Sequence, residues 1–200
     1  MSAHVTTLVN EDLGGGRYLF ALISWNDYGT DVHDEFSRQA QAFGLDLGAA
    51  GTLVQPFPQR MFDVADEVLE KPWPTEILER FHTDQDPVML IVNTAWREFD
   101  PTEDPYAVIW LSDFNQDPKK LKTVLGELAR RTREGEDVIA YLLGVARRAR
   151  QDAVVADAKV GLGILARLGS YVEIKPQLFG VALDVKAILR DIADHRAGRP

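Results

Sequence analysis

The sequence predicts an α/β fold, in which helices flank a mostly parallel central sheet and a helical and β appendage follows at the C-terminus. Apolar runs typical of buried strands recur along the chain, and segments with apolar residues at helical spacing lie between them. Strands that alternate with helices are typical of parallel sheets covered on both faces. A chain of 200 residues is also long enough to bury a core without disulfides.

Two strands and a helix are predicted at the beginning of the chain. The β-rich segments at 5–9 and 17–25 are joined by a glycine-rich turn, which predicts a hairpin. Apolar residues at helical spacing then predict a helix over 32–43 that ends at Gly44. A short strand is predicted at 52–57.

The middle of the chain carries a helical stripe, which Pro72 and Pro74 interrupt. Two strongly apolar runs follow, at 87–93 and 106–112, and each predicts a strand that is buried on both faces. Asp117 followed by proline is typical of a helix start and opens the next helix.

The C-terminal third is predicted to differ from the rest. A break at 134–136 precedes a second long helix, and glycine-spaced and alternating segments then lead to a final amphipathic helix. We therefore predict an α/β domain over 1–134 and a C-terminal region over 135–200 that packs on the same domain.

From the second predicted strand onward, the order of elements resembles the thioredoxin-like fold. Pro87 precedes the third strand of that unit, where this family keeps a cis-proline. The family places its redox cysteines after the first strand, where this chain has Asp-Tyr-Gly-Thr-Asp at 27–31, and the chain contains no cysteine. The resemblance therefore predicts the fold only, because the absence of cysteine excludes thioredoxin chemistry. A Rossmann-like three-layer sandwich fits the same order.

Composition excludes several classes of function. Without cysteine the chain has no disulfide, no thiolate metal site and no cysteine nucleophile, which fits a cytoplasmic location. The first residues lack the basic and apolar segments of a signal peptide, so we expect none. The net charge of −9 argues against nucleic acid as a partner, because phosphate contacts need a basic surface.

Charge is unevenly distributed along the chain. Residues 1–115 contain six basic and 20 acidic residues, whereas residues 116–200 contain 16 basic and 11 acidic ones. One interpretation is that the two parts attract each other across an interface inside the molecule. The other is that the basic part binds an anionic partner.

Acidic and polar side chains follow three of the predicted strands. Ligands bind beyond the carboxyl ends of parallel strands, so a parallel sheet would bring Asp27, Asp31, Asn93 and Asp113 to one edge. Such a cluster could hold Mg²⁺ or Ca²⁺, or supply an acid and a base. In a thioredoxin-like order, antiparallel pairing would put Asp113 at the opposite edge, and Asp31 can also be read as a helix cap. The candidate catalytic residues are Asp27, Asp31, His33 and Asp113.

Arginines gather on the polar sides of the two long helices of the basic part. Most such groups are solvated faces, but they could also bind a protein or lipid partner. The candidate partner-binding residues are Arg130, Arg131, Arg147, Arg148 and Arg150.

Three functions remain open on these patterns. The first is a non-catalytic binding or regulatory module that acts through protein contact or self-association and uses the basic part. The second is a small metal-assisted hydrolase or nucleotide-handling enzyme with its site at the strand ends. The third is a membrane-acting effector that uses residues 153–189, which are apolar and glycine-spaced. The sequence identifies no cofactor and no specific metal.

Overall fold

The structure, a computed structural model, contains strands and helices in alternation and describes residues 2–5, 7–8, 16–25, 31–56, 60–83, 87–114, 119–148, 180–183 and 185–196. Its strands are β1 (Ser2–Val5), β2 (Tyr18–Ile23), β3 (Gly51–Pro56), β4 (Val88–Val92), β5 (Tyr106–Trp110) and β6 (Gly180–Leu183). Its helices are α1 (Asp31–Leu47), α2 (Met61–Leu69), α3 (Thr75–Thr83), α4 (Lys119–Arg133), α5 (138–148) and α6 (Val185–Arg196). A short 3₁₀ helix covers Leu111–Phe114.

The sheet is mixed, with the strand order β1-β3-β2-β4-β5-β6. β3 is parallel to both β1 and β2, and β6 is parallel to β5. β4 is antiparallel to both of its neighbours, β2 and β5. The α/β prediction is therefore confirmed as a mixed sheet flanked by helices. Three of the five strand pairs that the structure describes are parallel, and β4 alone among these strands runs against the others.

The predicted hairpin between the first two strands is wrong. β1 lies at 2–5 rather than 5–9, and it pairs with β3 instead of β2. Both neighbours of β2 are already taken by β3 and β4, so no edge of β2 is left for β1. Leu8, which was assigned to the first strand, is instead buried among the residues that pack under α2.

The two faces of the sheet carry two separate apolar clusters. Along β2, Phe20 and its alternate neighbours face the cluster formed with α1, α4, α5 and α6. The residues between them, such as Leu19, face the cluster formed with α2, α3 and the segment at 93–105. Since side chains alternate along a strand, a strand covered on both faces must be apolar throughout. The burial of every residue of β2, β4 and β5 agrees with this requirement.

All four tryptophans lie on the α2–α3 side of the sheet. The ring of Phe81 lies between three of them, with its centroid 5.2 Å from that of Trp25 and 5.3 Å from those of Trp73 and Trp110. Trp96 stacks beside this group on another ring of the cluster. Contacts of this geometry add to the large apolar area that aromatic side chains bury, so they hold α3 firmly on the sheet.

Helix α1 is longer than predicted, because it continues through Gly44 and ends at Leu47. Leu47 extends the buried stripe of the helix by one turn. The chain then turns at Gly48, whose φ of 60° lies in the left-handed region that glycine adopts without strain.

The turn between α4 and α5 is tied to the sheet by the start of β2. Gly135 has a φ of 76°, and its N–H and that of Glu136 donate back to carbonyls of the last turn of α4, which is a Schellman ending. The Tyr18 hydroxyl accepts the backbone N–H of Val138 at 3.1 Å, while Asp137 accepts the N–H of Ala140 as a helix cap. These bonds fix where α5 begins.

At the C-terminal end the structure describes β6 and α6, and β6 pairs with β5 of the main sheet. The predicted C-terminal appendage as a whole stays a prediction. α6 contributes Ala187, Ile188 and Ile192 to the apolar cluster under α1 and α4. The predicted glycine-spaced segment and the first alternating stretch lie outside the described residues, and the division into domains at residue 134 stays a prediction.

Gly126 inside α4 and Gly135 just after it test how the backbone conformation of a glycine affects stability. A Cβ at Gly126 would meet nothing within 4 Å, so Gly126→Ala should raise the free energy of unfolding by about 0.5–1 kcal/mol. Gly135→Ala, at a positive φ, should lower it by about 1 kcal/mol or more. Urea denaturation of both variants measures the difference, and a destabilised Gly126→Ala protein would contradict the description of α4.

Candidate functional site

The strand directions decide which of the predicted acidic residues share an edge of the sheet. β2 and β5 are both antiparallel to β4, so β2 and β5 end at the same edge. Asp113, in the 3₁₀ helix after β5, follows that edge, and Asp31 begins α1 after β2. Asn93 follows β4 at the opposite edge. Asn93 therefore does not share an edge with Asp31 and Asp113, contrary to the prediction. Asp113 lies at the edge where β2 ends even though β4 and β5 are antiparallel, so the expectation that this pairing would put Asp113 at the opposite edge is also wrong.

The acidic site itself stays a prediction. Asp27 lies outside the described residues, and for Asp31, His33 and Asp113 the structure gives only the backbone position. Within the described ranges, no group of three or more His, Asp or Glu side chains is arranged to hold a metal ion.

Arg131 does not lie on a solvated face, as the helical pattern predicted, but is buried. Its guanidinium donates to Glu127 at 2.7 Å and also to Glu136. It lies 3.6 Å from the ring centroid of Tyr141 on α5. These internal contacts occupy the guanidinium, so Arg131 is not part of a contact surface.

Arg130, next to it, is half-buried and joins the same network. It donates to both oxygens of Glu127 and to Glu134. The hydrogen bonds from Arg130 hold the pKa of the Glu127 carboxyl below its usual range, even though burial acts in the opposite direction. Burial raises the pKa of the Tyr141 hydroxyl, which also lies close to the carboxylate of Asp191. The network therefore keeps its charges and fixes α5 on α4.

The other predicted arginines are more exposed. Arg147 and Arg148 both lie at the surface of α5, and Arg148 forms an ion pair with Asp191 of α6. Arg150 lies outside the described residues. The acids paired with Arg130, Arg131 and Arg148 all belong to the basic part of the chain, so these ion pairs do not support attraction between the acidic and basic parts.

Four of the five exposed residues of α4 form a basic stripe, which we define as Lys119, Lys122, Gly126 and Arg133; the fifth, Lys120, lies outside it. Spacings of three, four and seven residues place them on one side of the helix. All four are exposed, and Gly126 has open space where a Cβ would be. The helix has six basic residues and one acidic residue, and its first turn has no acidic residue.

The opposite side of the sheet carries an acidic layer, which we define as residues 61–83, from the start of α2 to the end of α3. Five carboxylates are exposed there: Asp63, Asp66, Glu70, Glu76 and Glu79. α2 alone has three acidic residues and no basic one. Because α2 and α3 cover one face of the sheet and α4 covers the other, the acidic layer and the basic stripe cannot neutralise each other within one molecule.

Two cations of the acidic layer point inward. Lys71 donates to the backbone oxygens of Trp96 and Phe99, at 3.0 and 2.7 Å, and lies 5.1 Å from the Trp96 ring centroid. The guanidinium carbon of Arg80 lies 4.1 Å from the centroid of the Trp110 ring. Cations over aromatic faces are attracted by the ring quadrupole. The outward charge of this layer is therefore dominated by carboxylates.

An aromatic side chain lies exposed among these carboxylates. Phe62 of α2 is 50% exposed, and Asp66 and Glu70 continue its row at spacings of four residues. We define Phe62, Asp66 and Glu70 as the acidic stripe. The sequence analysis did not identify this stripe, because it considered only the apolar stripe of α2 that faces the core. The available signal was the charge of α2, which contrasts with that of α4.

Comparison with known proteins gives no relative to argue from: no protein-family model, no curated protein and no solved structure matches this chain. No helix within the described residues has the length and apolar character needed to cross a membrane. The segment predicted to act on membranes, 153–189, lies mostly outside the described residues, so that hypothesis stays untested. The functional proposal is therefore based on the charge and exposure of the side chains at the surface.

The buried charge network gives a test of pH-dependent stability. Glu127→Gln should lower the free energy of unfolding by about 2–3 kcal/mol near pH 7, since it leaves Arg131 with one carboxylate fewer. The lowered pKa of Glu127 stabilises the fold above its ordinary value of 4.5, and this stabilisation is lost as the pH falls through the folded-state pKa. Between pH 5 and pH 3, the wild type should therefore lose more stability than Glu127→Gln.

Glu134→Gln is the matched control for that experiment. Glu134 also binds Arg130, but its side chain is 50% exposed, so the loss should be under about 0.5 kcal/mol. Urea denaturation at several pH values measures both variants. Equal losses in the two variants would show that the burial of Glu127 does not strengthen its ion pairs.

Proposed function

We propose that this chain is a protein-binding module whose contact surface is the basic stripe of α4 and whose partner presents an acidic surface. The observation that carries the proposal is the placement of the basic stripe and the acidic layer on opposite sides of the sheet. The carboxylates of α2 and α3 lie on the other side of the sheet from the basic stripe, so they leave the stripe available to a partner. Complementary charge speeds encounter and fixes orientation at such a surface.

The distribution of cations on α4 supports this assignment. Arg130 and Arg131 pair with Glu127 inside α4, and Arg131 also lies over Tyr141 of α5. The cations of the stripe, Lys119, Lys122 and Arg133, are exposed on the side of the helix that Arg130 borders. Structural and binding roles are thus divided between two groups of basic residues on one helix.

Gly126 provides an independent argument. A glycine in a helix interior costs about 0.5–1 kcal/mol relative to alanine, and here no neighbouring atom requires it. It lies in the middle of the basic stripe, at an exposed position. The absence of a side chain there allows a partner to approach the helix backbone closely. Binding therefore explains the glycine, whereas packing inside the molecule does not.

For the fold we infer a thioredoxin-like order in preference to a Rossmann-like one. The support is the antiparallel pairing of β4 with β5, which the thioredoxin-like alternative implied and a parallel sandwich does not. Without cysteine, a fold of this order carries out no thiol chemistry.

The test combines capture from cell extract with zero-length cross-linking between amines and carboxylates. The variant Lys122→Glu with Arg133→Glu should lose its captured proteins, because two cations of the stripe become anions. In the wild type, Lys119 and Lys122 should be cross-linked to carboxylates of another chain, as identified by mass spectrometry.

The matched control is Arg38→Glu with Arg97→Glu, which makes the same change in net charge at exposed positions outside α4. This control should keep the wild-type set of captured and cross-linked proteins. If the two double variants capture the same set, the basic stripe is not the contact surface.

A further inference from the structure

We propose that the acidic surface bound by the basic stripe is the acidic stripe of a second copy of this chain, so that the protein assembles head to tail. This inference rests on the proposed function and names its partner. Each copy carries both members of a complementary pair, a basic stripe on α4 and an acidic stripe on α2. The uneven charge of the sequence thus becomes complementarity between molecules.

The shapes of the two stripes also match. Phe62 is a half-exposed aromatic side chain, and Gly126 is an exposed position with no atom within 4 Å of a built Cβ. Rows of residues spaced by four on two helices pack into each other in the commonest class of helix contact. Phe62, Asp66 and Glu70 form such a row on α2, and Lys122, Gly126 and Arg130 form one on α4. At the centre of the contact, the ring of Phe62 would pack against the helix backbone at Gly126.

Charge fixes the direction of the contact. With Phe62 over Gly126, an antiparallel arrangement brings Asp66 to Lys122 and Glu70 to Lys119. The parallel arrangement would instead bring Glu70 to Glu134, which is exposed, so the antiparallel direction is favoured over the parallel one.

The assembly cannot be a symmetric dimer built on these two stripes. α2 and α4 lie on opposite faces of the sheet, so one pair of molecules forms one contact and leaves one stripe of each kind unused. A contact between two different surfaces repeats and gives an open chain or a closed ring. The net charge of −9 opposes growth, and we expect small assemblies at low ionic strength.

The experiment uses two variants of the whole chain, each blocked on one stripe. Lys122→Glu with Gly126→Gln blocks the basic stripe, and Phe62→Ser with Asp66→Lys blocks the acidic stripe. Both pairs of sites are exposed, and thermal unfolding checks that each variant folds. Analytical ultracentrifugation then measures the wild type, each variant and their equimolar mixture.

The wild type should form dimers and larger species in about 0.02 M salt and dissociate in about 0.5 M salt, where the Debye length is shorter than the stripe. Each blocked variant alone should be a monomer. Their mixture should form a dimer and nothing larger, because each partner keeps one working stripe. Monomers in the mixture, or assembly of either blocked variant alone, would overturn the proposal.

Leu45→Ser is the control for a general effect of exposed apolar side chains. Leu45 of α1 is 74% exposed, more than Phe62, yet it belongs to neither stripe, so its loss should leave assembly unchanged. A wild type that stays monomeric at low salt also overturns the self-assembly proposal. The proposed function would then survive only if the basic stripe is cross-linked to a different protein, so the two failures are distinguishable.

Discussion

The rest of the structure depends on the burial of β2, β4 and β5 on both faces. Every residue of these strands is buried, so apolar layers are needed on each side of the sheet. α2 and α3 supply one layer, and α1, α4, α5 and α6 supply the other. The aromatic ring contacts of Phe81 strengthen one layer, and the long stripe of α1 strengthens the other. The position of every charged surface follows from this division.

Two-sided burial puts the acidic α2 and the basic α4 on opposite sides of the sheet. α2 is acidic, α4 is basic, and the sheet lies between them. The ion pairs of Arg130, Arg131 and Arg148 join them to nearby acids of their own part of the chain. Arg131 also lies over Tyr141 of α5, and Arg148 joins α5 to α6.

Much of the fold could be predicted from local patterns. The apolar runs of β4 and β5 and the proline break between α2 and α3 lie within a residue or two of the predicted positions. Strand pairing could not be predicted, because it depends on contacts between distant segments; β1 therefore pairs with β3, and β4 runs against its neighbours. Gly44 did not end α1, since Leu47 gains burial by continuing the helix. For the candidate site, the sequence indicated basic residues on α4 but not which of them would be buried.

The sequence by itself determined the α/β class, the apolar stripes of the helices, the exclusion of cysteine chemistry and the uneven distribution of charge. These properties are local or additive, so they are independent of how the segments are arranged. Only the tertiary structure decided that Arg131 is buried, that Asn93 and Asp113 lie at opposite edges of the sheet, and that α2 and α4 face away from each other. Burial and proximity depend on which distant segments pack together, and helical periodicity contains no information about that choice.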